Sequence, residues 1–459
     1  MRRYGRSWFR GKRVVVIGLA KSGLAAACLL WELGAQVTVN DRQEAWQIPP
    51  EAKRKLEERG IVCRWGGHPD DLIDPGVDLV VKNPGIPYRI LPIQQAIKYQ
   101  IPVITEVELG WQWTVSPMIG ITGSNGKTTT TSLIGEMFRQ AERKAHVVGN
   151  IGMVMSEVAF HSRPDETLVV ELSSFQLLGT LDFRPDVAVL TNIYPAHLDY
   201  HGTLEEYTRA KLKLFANQRA DDVAVLNADQ EVSVRLAPEI GAQIWWFSIR
   251  SAVSPGVYLE DGEVYWQPPD GQRRRLFSRS DVALKGDHNL ENLLAASCAA
   301  VAYGLPVEAV RRVASTFTGV EHRLEFVRKV NGVAYYNDSK ATNTTAAITA
   351  LRSFKEGITW IAGGLDRGHS FDEMIPIVQK HVKRVIAYGE TSERIIEMCR
   401  RAGVSLCSTV GSVEEAVDLA AVITPPGDVV LLSPACASWD MYRSFEERGN
   451  IFKQAVHKL

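Results

Sequence analysis

A glycine-rich stretch over residues 120–130 carries the residue types of a phosphate-binding loop. It follows an apolar run that predicts a strand and precedes a segment that predicts a helix, so backbone N–H groups can converge on phosphate oxygens. Lys127 would neutralise phosphate charge, and the Thr128 hydroxyl would reach a Mg²⁺ ion. A strict version of this pattern has glycine where Ile121 stands, so the loop is a variant. Binding of a nucleoside triphosphate is favoured over a plain turn.

Polar residues also follow two later apolar runs. Glu171 ends the run over residues 167–172, and His197 comes after the run over residues 187–192, with Asp199 two positions on. Because the carboxyl ends of parallel strands meet at one edge of a sheet, these side chains are expected to face the same crevice as the glycine-rich stretch. A carboxylate there suits a hard cation that bridges phosphates. A helix-capping role for Glu171 and an ordinary loop position for His197 stay open.

A second glycine-bearing turn, residues 18–23, follows the apolar run near the start of the chain. A dinucleotide-binding turn needs glycine where Ala20 stands, so that the backbone can approach a pyrophosphate closely. Asp41 ends the next predicted strand, where a carboxylate can accept hydrogen bonds from a ribose hydroxyl. Three interpretations stay open for this turn: a nicotinamide cofactor, another diphosphate-linked nucleotide, or simple helix–strand packing.

The composition sets the class of protein that carries these motifs. A length of 459 residues suggests about three domains, and 52 basic against 53 acidic residues leave no broad electrostatic footprint for nucleic acid. The six cysteines are scattered without a CxxC pair, which disfavours a zinc site and fits a reducing compartment. No apolar stretch of about 18 residues predicts membrane insertion, so a cytoplasmic protein is expected. The basic residues 1–13 are expected to form a solvated tail.

Strands and helices alternate through most of the sequence, which predicts an α/β fold with parallel sheets. The pattern separates into three blocks, residues 1–114, 115–319 and 320–459. Asp261 and Gly262 between two short strand candidates predict a hairpin in the second block. In the third block, strands are predicted over residues 332–336, 359–362, 384–388 and 429–433.

Several motifs together resemble those of the ATP-dependent Mur ligases. The shared motifs cover residues 122–128, 171–177, 288–292 and 321–325. Residues 337–343, 432–440 and 445–450 look like those of the branch that adds D-glutamate, whereas the Asp-Asn-Pro-Arg signature of the diaminopimelate- or lysine-adding branch is absent. The resemblance implies a Rossmann-like N-terminal domain that binds the UDP substrate, a central P-loop-type ATPase domain with a mostly parallel sheet, and a Rossmann-like C-terminal domain that binds the amino acid.

The resemblance also implies an activity and its cofactors. ATP would phosphorylate the carboxylate of UDP-N-acetylmuramoyl-L-alanine, and the amine of D-glutamate would then displace phosphate. Two Mg²⁺ ions are expected, and Lys211 matches the lysine that family members carry as a carbamate, although spacing alone does not separate it from Lys213. The implied catalytic residues are Lys127, Glu171, His197 and Lys211, and the implied metal ligands are Thr128, Glu171, His197 and Lys211.

Further site residues follow from the same resemblance. Those expected to bind ATP are Gly123, Ser124, Asn125, Gly126, Lys127, Thr128, Thr129, Asn289, Asn292, Arg323, Asp338 and Lys340. Those expected to bind the UDP-linked acceptor are Gly18, Leu19, Ala20, Lys21, Ser22, Asp41, Arg42, Asn83, Gly85 and Asn150. Thr342, Arg367 and Ser433 are expected to bind glutamate.

The chain departs from the family pattern at Ala196, where relatives have an acidic residue before the histidine. A monomer that binds these small molecules, without nucleic acid or membrane insertion, is expected. The alternatives are a Mur-type ligase for another amino acid, a nicotinamide-dependent oxidoreductase, and a non-catalytic nucleotide-binding subunit. The oxidoreductase is disfavoured because Ala20 breaks its fingerprint and the glycine-rich stretch would be unexplained. The non-catalytic subunit is disfavoured because the metal, lysine and third-block motifs are all present.

Overall fold

The computed structural model describes residues 7–269, 271–284, 286–354, 357–368 and 370–459. These residues form a mixed α/β fold with parallel-rich sheets, as predicted. They divide into two compact units, one up to Phe317 and one from Thr318 onward. No helix in the described ranges is both long and apolar enough to cross a membrane.

The first sheet of unit 1 has the strand order β3-β2-β1-β4-β5 and is parallel throughout. The strands are β1 (Arg13–Ile17), β2 (Gln36–Asn40), β3 (Val62–Arg64), β4 (Leu79–Lys82) and β5 (Val103–Ile104), and the helices are α1 (Lys21–Glu32), α2 (Pro50–Glu57), α3 (Leu91–Lys98) and α4 (Glu106–Trp113). The apolar residues of β1 and β4 are buried, as expected for strands covered on both faces. The turns after β1, β2 and β4 therefore meet at one edge of this sheet.

The expectation of a solvated basic tail is wrong for its described part. Phe9 is completely buried, and its ring packs against Trp113 with the ring centroids 5.8 Å apart. Lys12 binds the Asp78 carboxylate at 2.8 Å. The prediction of a solvated tail relied on the basic residues and overlooked Phe9. One aromatic side chain buries enough apolar area to hold a basic segment against the core. Residues 1–6 lie outside the described residues.

The second sheet of unit 1 has the order β14-β13-β12-β11-β10-β9-β6-β8-β7, parallel from β7 to β12 and antiparallel at β13 and β14. Its strands are β6 (Met118–Thr122), β7 (Ala145–Gly149), β8 (Thr167–Glu171), β9 (Val187–Leu190), β10 (Val223–Asn227), β11 (Gln243–Ser248), β12 (Gly256–Glu260), β13 (Glu263–Gln267) and β14 (Arg274–Ser278). The predicted hairpin is confirmed: Asp261 and Gly262 join β12 to β13 with φ values of 50° and 80°, the left-handed pair that a tight hairpin turn requires.

Helices cover both faces of this second sheet. They are α5 (Lys127–Gln140), α6 (Met155–His161), α7 (Ser174–Leu178), α8 (Leu198–His201), α9 (Leu204–Leu212), α10 (Glu231–Leu236), α11 (Asp287–Tyr303) and α12 (Val307–Thr316), with short 3₁₀ turns at Ala237–Glu239 and Arg279–Asp281. Phe138 of α5 and Leu294 of α11 share one buried cluster with Ile121 of β6 and Val169 of β8. This packing fixes the start of α5 beside the ends of the two central strands.

Unit 2 contains one further sheet, of order β15-β16-β20-β17-β18-β19, in which the β15–β16 pair alone is antiparallel among the described strands. The strands are β15 (Glu325–Val330), β16 (Val333–Asn337), β17 (Ile358–Gly363), β18 (Val382–Tyr388), β19 (Leu406–Thr409) and β20 (Val429–Leu432), and the helices are α13 (Thr344–Arg352), α14 (Ile375–His381), α15 (Ser392–Arg401), α16 (Val413–Ile423) and α17 (Phe445–Lys458), with a 3₁₀ turn at Asp372–Met374. The four predicted strands are confirmed. Sequence analysis missed β15 and β19 because these edge strands are half exposed and lack a continuous apolar run.

Candidate active site

The glycine-rich stretch forms a tight loop between β6 and α5. Gly123 has a φ of 151° and Gly126 a φ of 82°, both unfavourable for residues with a Cβ atom. A Cβ on Gly126 would lie 2.0 Å from Oδ1 of Asn292, and one on Gly123 would lie 1.9 Å from Oγ1 of Thr191. The Thr191 hydroxyl also donates to the Asn125 carbonyl at 2.6 Å, which ties the loop to the end of β9. The loop is therefore a preformed backbone cradle at the amino terminus of α5.

Two lysines converge on this loop. Lys127, the first residue of α5, curls back so that its Nζ donates to the carbonyl oxygens of Gly123 at 2.8 Å and Ser124 at 2.9 Å. Lys211, near the end of α9, donates to the same Gly123 oxygen at 2.7 Å. Residues 84 positions apart in sequence therefore place two amino groups on one carbonyl oxygen.

Lys211 has the environment of a neutral amine. Its side chain is 1% exposed, and its Nζ lies 4.6 Å from the centre of the Tyr207 ring. Burial, followed by the charge of Lys127, lowers the pKa of Lys211 to about 6, although Glu171 acts in the opposite direction. Lys213 is half-buried and instead donates to the Leu178 carbonyl at 2.8 Å. The structure thus separates two lysines that spacing alone could not separate.

Glu171 ends β8 directly beside the loop strand, since Ile121 of β6 is its register partner. Its side chain is 1% exposed, and Oε1 accepts a hydrogen bond from Nδ2 of Asn150 at 2.7 Å. Oε2 is buried without a hydrogen-bond partner among the described residues. A buried carboxylate oxygen left open in this way fits a hard cation that also binds phosphate. The Thr128 hydroxyl, in the buried first turn of α5, fits the same cation.

Within the described part of the chain, no group of three or more His, Cys, Asp or Glu side chains could hold a metal ion by itself. A cation at Glu171 would therefore complete its coordination with hydroxyl, phosphate or water oxygens, as Mg²⁺ commonly does.

His197 lies in a strained turn rather than a regular helix. It precedes α8 with a φ of 55° and a ψ of 34°, and its ring centroid lies 5.1 Å from that of Phe175. Partial burial and the charge of Lys127 lower the pKa of His197, whereas Asp199 acts in the opposite direction. The neutral imidazole is therefore favoured, as required of a metal ligand.

The predicted adenine-side residues lie on one face of α11. Asn292 is buried and faces Gly126, and Asn289 is half-buried one turn earlier. Ser124 accepts a hydrogen bond at its Oγ from the Tyr207 hydroxyl at 3.1 Å, and Thr129 is half-buried in the first turn of α5. The predicted ATP residues of unit 1 are therefore brought together around the loop.

The predicted acceptor residues of the first sheet cluster at its carboxyl edge, whereas Asn150 follows β7 of the second sheet and binds Glu171. The Asp41 carboxylate accepts from the Leu19 amide at 2.7 Å, and Asn83 donates to the Ser22 hydroxyl at 3.1 Å. Asp41 therefore shapes the turn after β1 in addition to any contact with a ribose. Ala20 precedes α1 without a side-chain cap. The other predicted members here are Gly18, which is buried, and Lys21, Arg42 and Gly85, which are exposed.

Unit 2 places Asp338 after β16 in a buried position. Ser433 donates to its Oδ2 at 2.8 Å and the Leu324 amide to its Oδ1 at 3.2 Å, yet burial raises the pKa of Asp338 to about 7. The Ser433 side chain is buried, and its hydroxyl orients the Asp338 carboxyl group.

Other predicted residues of unit 2 lie nearer the surface. Arg323 and Arg367 are exposed, and the Arg367 guanidinium lies 5.1 Å from the centre of the exposed Trp439 ring. Lys340 and Thr342 are half-buried in the segment that follows β16.

Comparisons with known proteins indicate the family of this chain. The profile of the Mur ligase MurD-like N-terminal domain matches residues 12–105, that of the Mur ligase middle domain residues 121–300, and that of the Mur ligase glutamate ligase domain residues 322–436. The chain is 48% identical to a UDP-N-acetylmuramoylalanine--D-glutamate ligase of Geobacillus sp. strain WCH70 over 99% of both chains. The enzyme of that name from Geobacillus kaustophilus is 49% identical over 98% of this chain and 99% of its own.

The chain belongs to the Mur ligase family.

The fold of this Mur ligase is also similar to that of a UDP-N-acetylmuramate-alanine ligase from Thermotoga maritima, with a TM-score of 0.56 and 18% identity over 97% of this chain and 99% of that one. Two further polar residues of the Mur ligase, one in each unit, were not among the predicted site residues. His201, four residues after His197, lies 3.0 Å from Ser174 through its Nε2. Ser438 has a buried Oγ without a partner among the described residues. The His197–His201 spacing was the available signal for His201, and Ser438 lies within the motif over residues 432–440.

Proposed function

We propose that this Mur ligase uses ATP and Mg²⁺ to join D-glutamate to UDP-N-acetylmuramoyl-L-alanine in peptidoglycan precursor synthesis. Both relatives cited above are named for this activity, and the similarity to this chain covers 99% of each of them. The observation that carries the chemistry is the convergence of Lys127, Lys211 and the open Oε2 of Glu171 around the phosphate-binding loop.

The reaction has two bond-forming steps. An acceptor carboxylate oxygen attacks the γ-phosphorus of ATP, which gives an acyl phosphate and releases ADP. The D-glutamate amine then attacks the acyl carbon, loses a proton and expels phosphate, so that an amide bond remains. Positioning and charge neutralisation are the main contributions that a protein makes to such phosphoryl transfer.

The residues of unit 1 supply these contributions. The N–H groups of the loop and the Lys127 ammonium bind the phosphates, and Glu171 with Thr128 would hold Mg²⁺. When bound, Mg²⁺ offsets negative charge on the phosphate oxygens. Asn150 orients Glu171 through Oε1 and leaves Oε2 available. Asn289 and Asn292 contact the adenine side.

We also propose that Lys211 carries a carbamate that serves, with His197, at a second Mg²⁺. The support is chemical: a lysine with a pKa of about 6 is largely unprotonated at neutral pH, and only the neutral amine adds CO₂. Residues of unit 2 complete the proposal. Arg323, Asp338 and Lys340 are assigned to ATP, and Thr342, Arg367 and Ser433 to glutamate.

The remaining proposals concern organisation. We propose three domains, residues 1–114, 115–319 and 320–459, in a monomer that works in the cytoplasm, where ATP and UDP-linked precursors are made.

The test of function is ADP release by the purified chain. We expect ADP only when ATP, Mg²⁺, UDP-N-acetylmuramoyl-L-alanine and D-glutamate are all present, with one phosphate released per ADP. Equal turnover with L-alanine, L-lysine or diaminopimelate would reject the choice of amino acid. Hydride transfer to or from a nicotinamide cofactor, without ADP release, would instead favour an oxidoreductase.

A further inference from the structure

Lys82 is a buried lysine that the proposed function does not use. It is the last residue of β4 and is 1% exposed. Its Nζ donates to three backbone carbonyl oxygens, those of Ile86 at 2.9 Å, Pro84 at 3.0 Å and Asn83 at 3.4 Å. The Tyr88 ring lies over the same ammonium, with 4.7 Å between Nζ and the ring centre. The ammonium thus organises a single turn that follows its own strand.

This ammonium has no carboxylate partner within 4 Å among the described residues. Burying a charge without an acid is costly, and replacing such a group by an apolar side chain is often neutral or stabilising. Burial accordingly lowers the pKa of Lys82 to about 8. A contribution to the stability of the fold therefore does not explain a lysine at this position. The conformation that Lys82 gives to residues 83–86 explains it better.

The turn that Lys82 organises packs against the predicted diphosphate turn. The Asn83 side chain donates to the Ser22 hydroxyl at 3.1 Å, and its backbone N–H donates to the Ile17 carbonyl at 2.8 Å. A Cβ on Gly18 would lie 2.7 Å from Cδ1 of Ile86. The backbone of the diphosphate turn is thus in close contact with the turn that Lys82 holds.

The same turn also contacts the segment that carries His197. The Tyr200 hydroxyl, on α8, donates to the Ile86 carbonyl oxygen at 3.1 Å. That oxygen therefore receives one hydrogen bond from Lys82 and one from Tyr200. His197 directly precedes α8, three residues before Tyr200.

We propose that Lys82 is a positioning residue for the acceptor nucleotide, and that the Ile86 carbonyl it shares with Tyr200 sets the acceptor relative to His197. This inference rests on the proposed function, because it takes UDP-N-acetylmuramoyl-L-alanine as the ligand of the turn after β1. Lys82 itself touches only the turn and not the substrate. Its effect passes through the backbone of residues 83–86.

The test compares Lys82→Met with Lys213→Met in the full chain. Both lysines are buried or half-buried and donate to backbone carbonyls, but Lys213 binds Leu178, far from the acceptor turn in sequence and outside the acceptor cluster. Calorimetry measures the dissociation constants of UDP-N-acetylmuramoyl-L-alanine and of a non-hydrolysable ATP analogue. We expect Lys82→Met to weaken acceptor binding about tenfold, with ATP-analogue binding changed less than twofold. Lys213→Met should change neither constant by more than about twofold.

The outcomes are distinguishable. Unchanged acceptor affinity in Lys82→Met, or equal losses for the acceptor and the ATP analogue, would overturn the positioning role. If the wild-type chain fails to bind UDP-N-acetylmuramoyl-L-alanine, that result contradicts the proposed function itself, and this inference is rejected together with it. A thermal melt of each variant shows whether a loss of binding accompanies a loss of stability.

Tyr200→Phe tests the role of the shared Ile86 carbonyl with a minimal change. If Lys82→Met does not fold, Tyr200→Phe is the variant that tests the inference. It removes one hydroxyl and leaves the ring contacts of Phe175 in place. We expect the acceptor KM to rise about two- to fivefold and the ATP KM to stay constant. Because both groups donate to one oxygen, the effects of Lys82→Met and Tyr200→Phe should be non-additive. An unchanged acceptor KM in Tyr200→Phe, or strict additivity, would contradict the link.

Discussion

Lys127 and Lys211 donate hydrogen bonds to the same oxygen, the carbonyl of Gly123, at 2.8 Å and 2.7 Å. Two ammonium groups on one carbonyl would repel each other strongly in a buried site. The low pKa of Lys211 resolves this conflict, because this amine is largely uncharged at neutral pH. The arrangement leaves the Lys127 side chain for phosphate, with a neutral amine beside it.

Replacement of Lys211 tests the role of this neutral amine. We expect Lys211→Ala to fold and to lose about 100-fold or more in kcat, because a buried ligand beside the phosphates is removed. Lys213→Ala is the matched control and should retain nearly full activity. Short-chain carboxylic acids such as acetate should partly restore activity to Lys211→Ala by supplying the missing carboxylate. Full activity of Lys211→Ala without added acid would contradict the assignment.

Glu171→Gln tests the open carboxylate oxygen. The amide can still accept from Asn150, so we expect the fold to persist while the apparent affinity for Mg²⁺ falls about 10–100-fold. Glu166, just before the start of β8, is the control, because its buried carboxylate binds Lys144 at 2.6 Å and His146 at 2.8 Å instead. Glu166→Gln should lower the melting temperature without changing the Mg²⁺ titration. The same Mg²⁺ dependence in both variants would argue against a cation at Glu171.

The preformed loop makes a prediction about Gly126. Gly126→Ala adds a Cβ at a φ of 82° and 2.0 Å from the Asn292 side chain, whereas Gly262→Ala adds one at a φ of 80° with nothing within 4 Å. Gly262→Ala should therefore show only the backbone strain of about 1–2 kcal/mol. Gly126→Ala should lose about 1–3 kcal/mol more and should bind an ATP analogue at least tenfold more weakly. Chemical denaturation and calorimetry measure both quantities. Equal effects of the two substitutions would show that Asn292 does not restrict the loop.

Asp338 makes a prediction about pH and stability. Burial raises the pKa of this carboxyl group from 3.8 to about 7, so the folded protein holds the proton more tightly than the unfolded chain. The stabilising effect is complete below about pH 4 and is lost as the pH rises through 7. Asp338→Asn does not titrate, so its stability relative to wild type should increase between pH 4 and 7 by about 1–3 kcal/mol and then level off. Denaturant titrations at a series of pH values measure this difference, and a constant difference would contradict the buried carboxylate.

Local patterns predicted the elements whose sequence signal is local. The apolar runs ahead of Gly18 and Gly123 predicted buried parallel strands, and Asp261-Gly262 predicted the hairpin, because these features depend on neighbours within a few positions. The half-exposed edge strands β15 and β19 depend on partners from elsewhere in the chain, and the sequence carries no continuous apolar run to reveal them.

The details of the site depend on contacts between distant residues. The bond from Tyr200 to Ile86 joins positions 114 residues apart, and the bond from Lys211 to Gly123 spans 88. No spacing rule separates Lys211 from Lys213, since only burial and the partner carbonyl differ. The hydrogen bond from Ser433 to Asp338 likewise joins two motifs that lie 95 positions apart. Residue types in the sequence thus indicated the chemistry of the site. Tertiary contacts decide which residues of each motif are buried and which groups they contact.

The most direct test of the proposed activity is the mass of the product. The purified chain would be incubated with ATP, Mg²⁺ and UDP-N-acetylmuramoyl-L-alanine, together with an equimolar mixture of D-glutamate, L-glutamate, L-alanine, L-lysine and diaminopimelate, of which only the D-glutamate is labelled with ¹⁵N. We predict one product, the acceptor plus labelled glutamate less one water, formed in equal amount to ADP and phosphate. Unlabelled product, another amino acid in the product, or ADP formed without any amide would contradict the proposed activity.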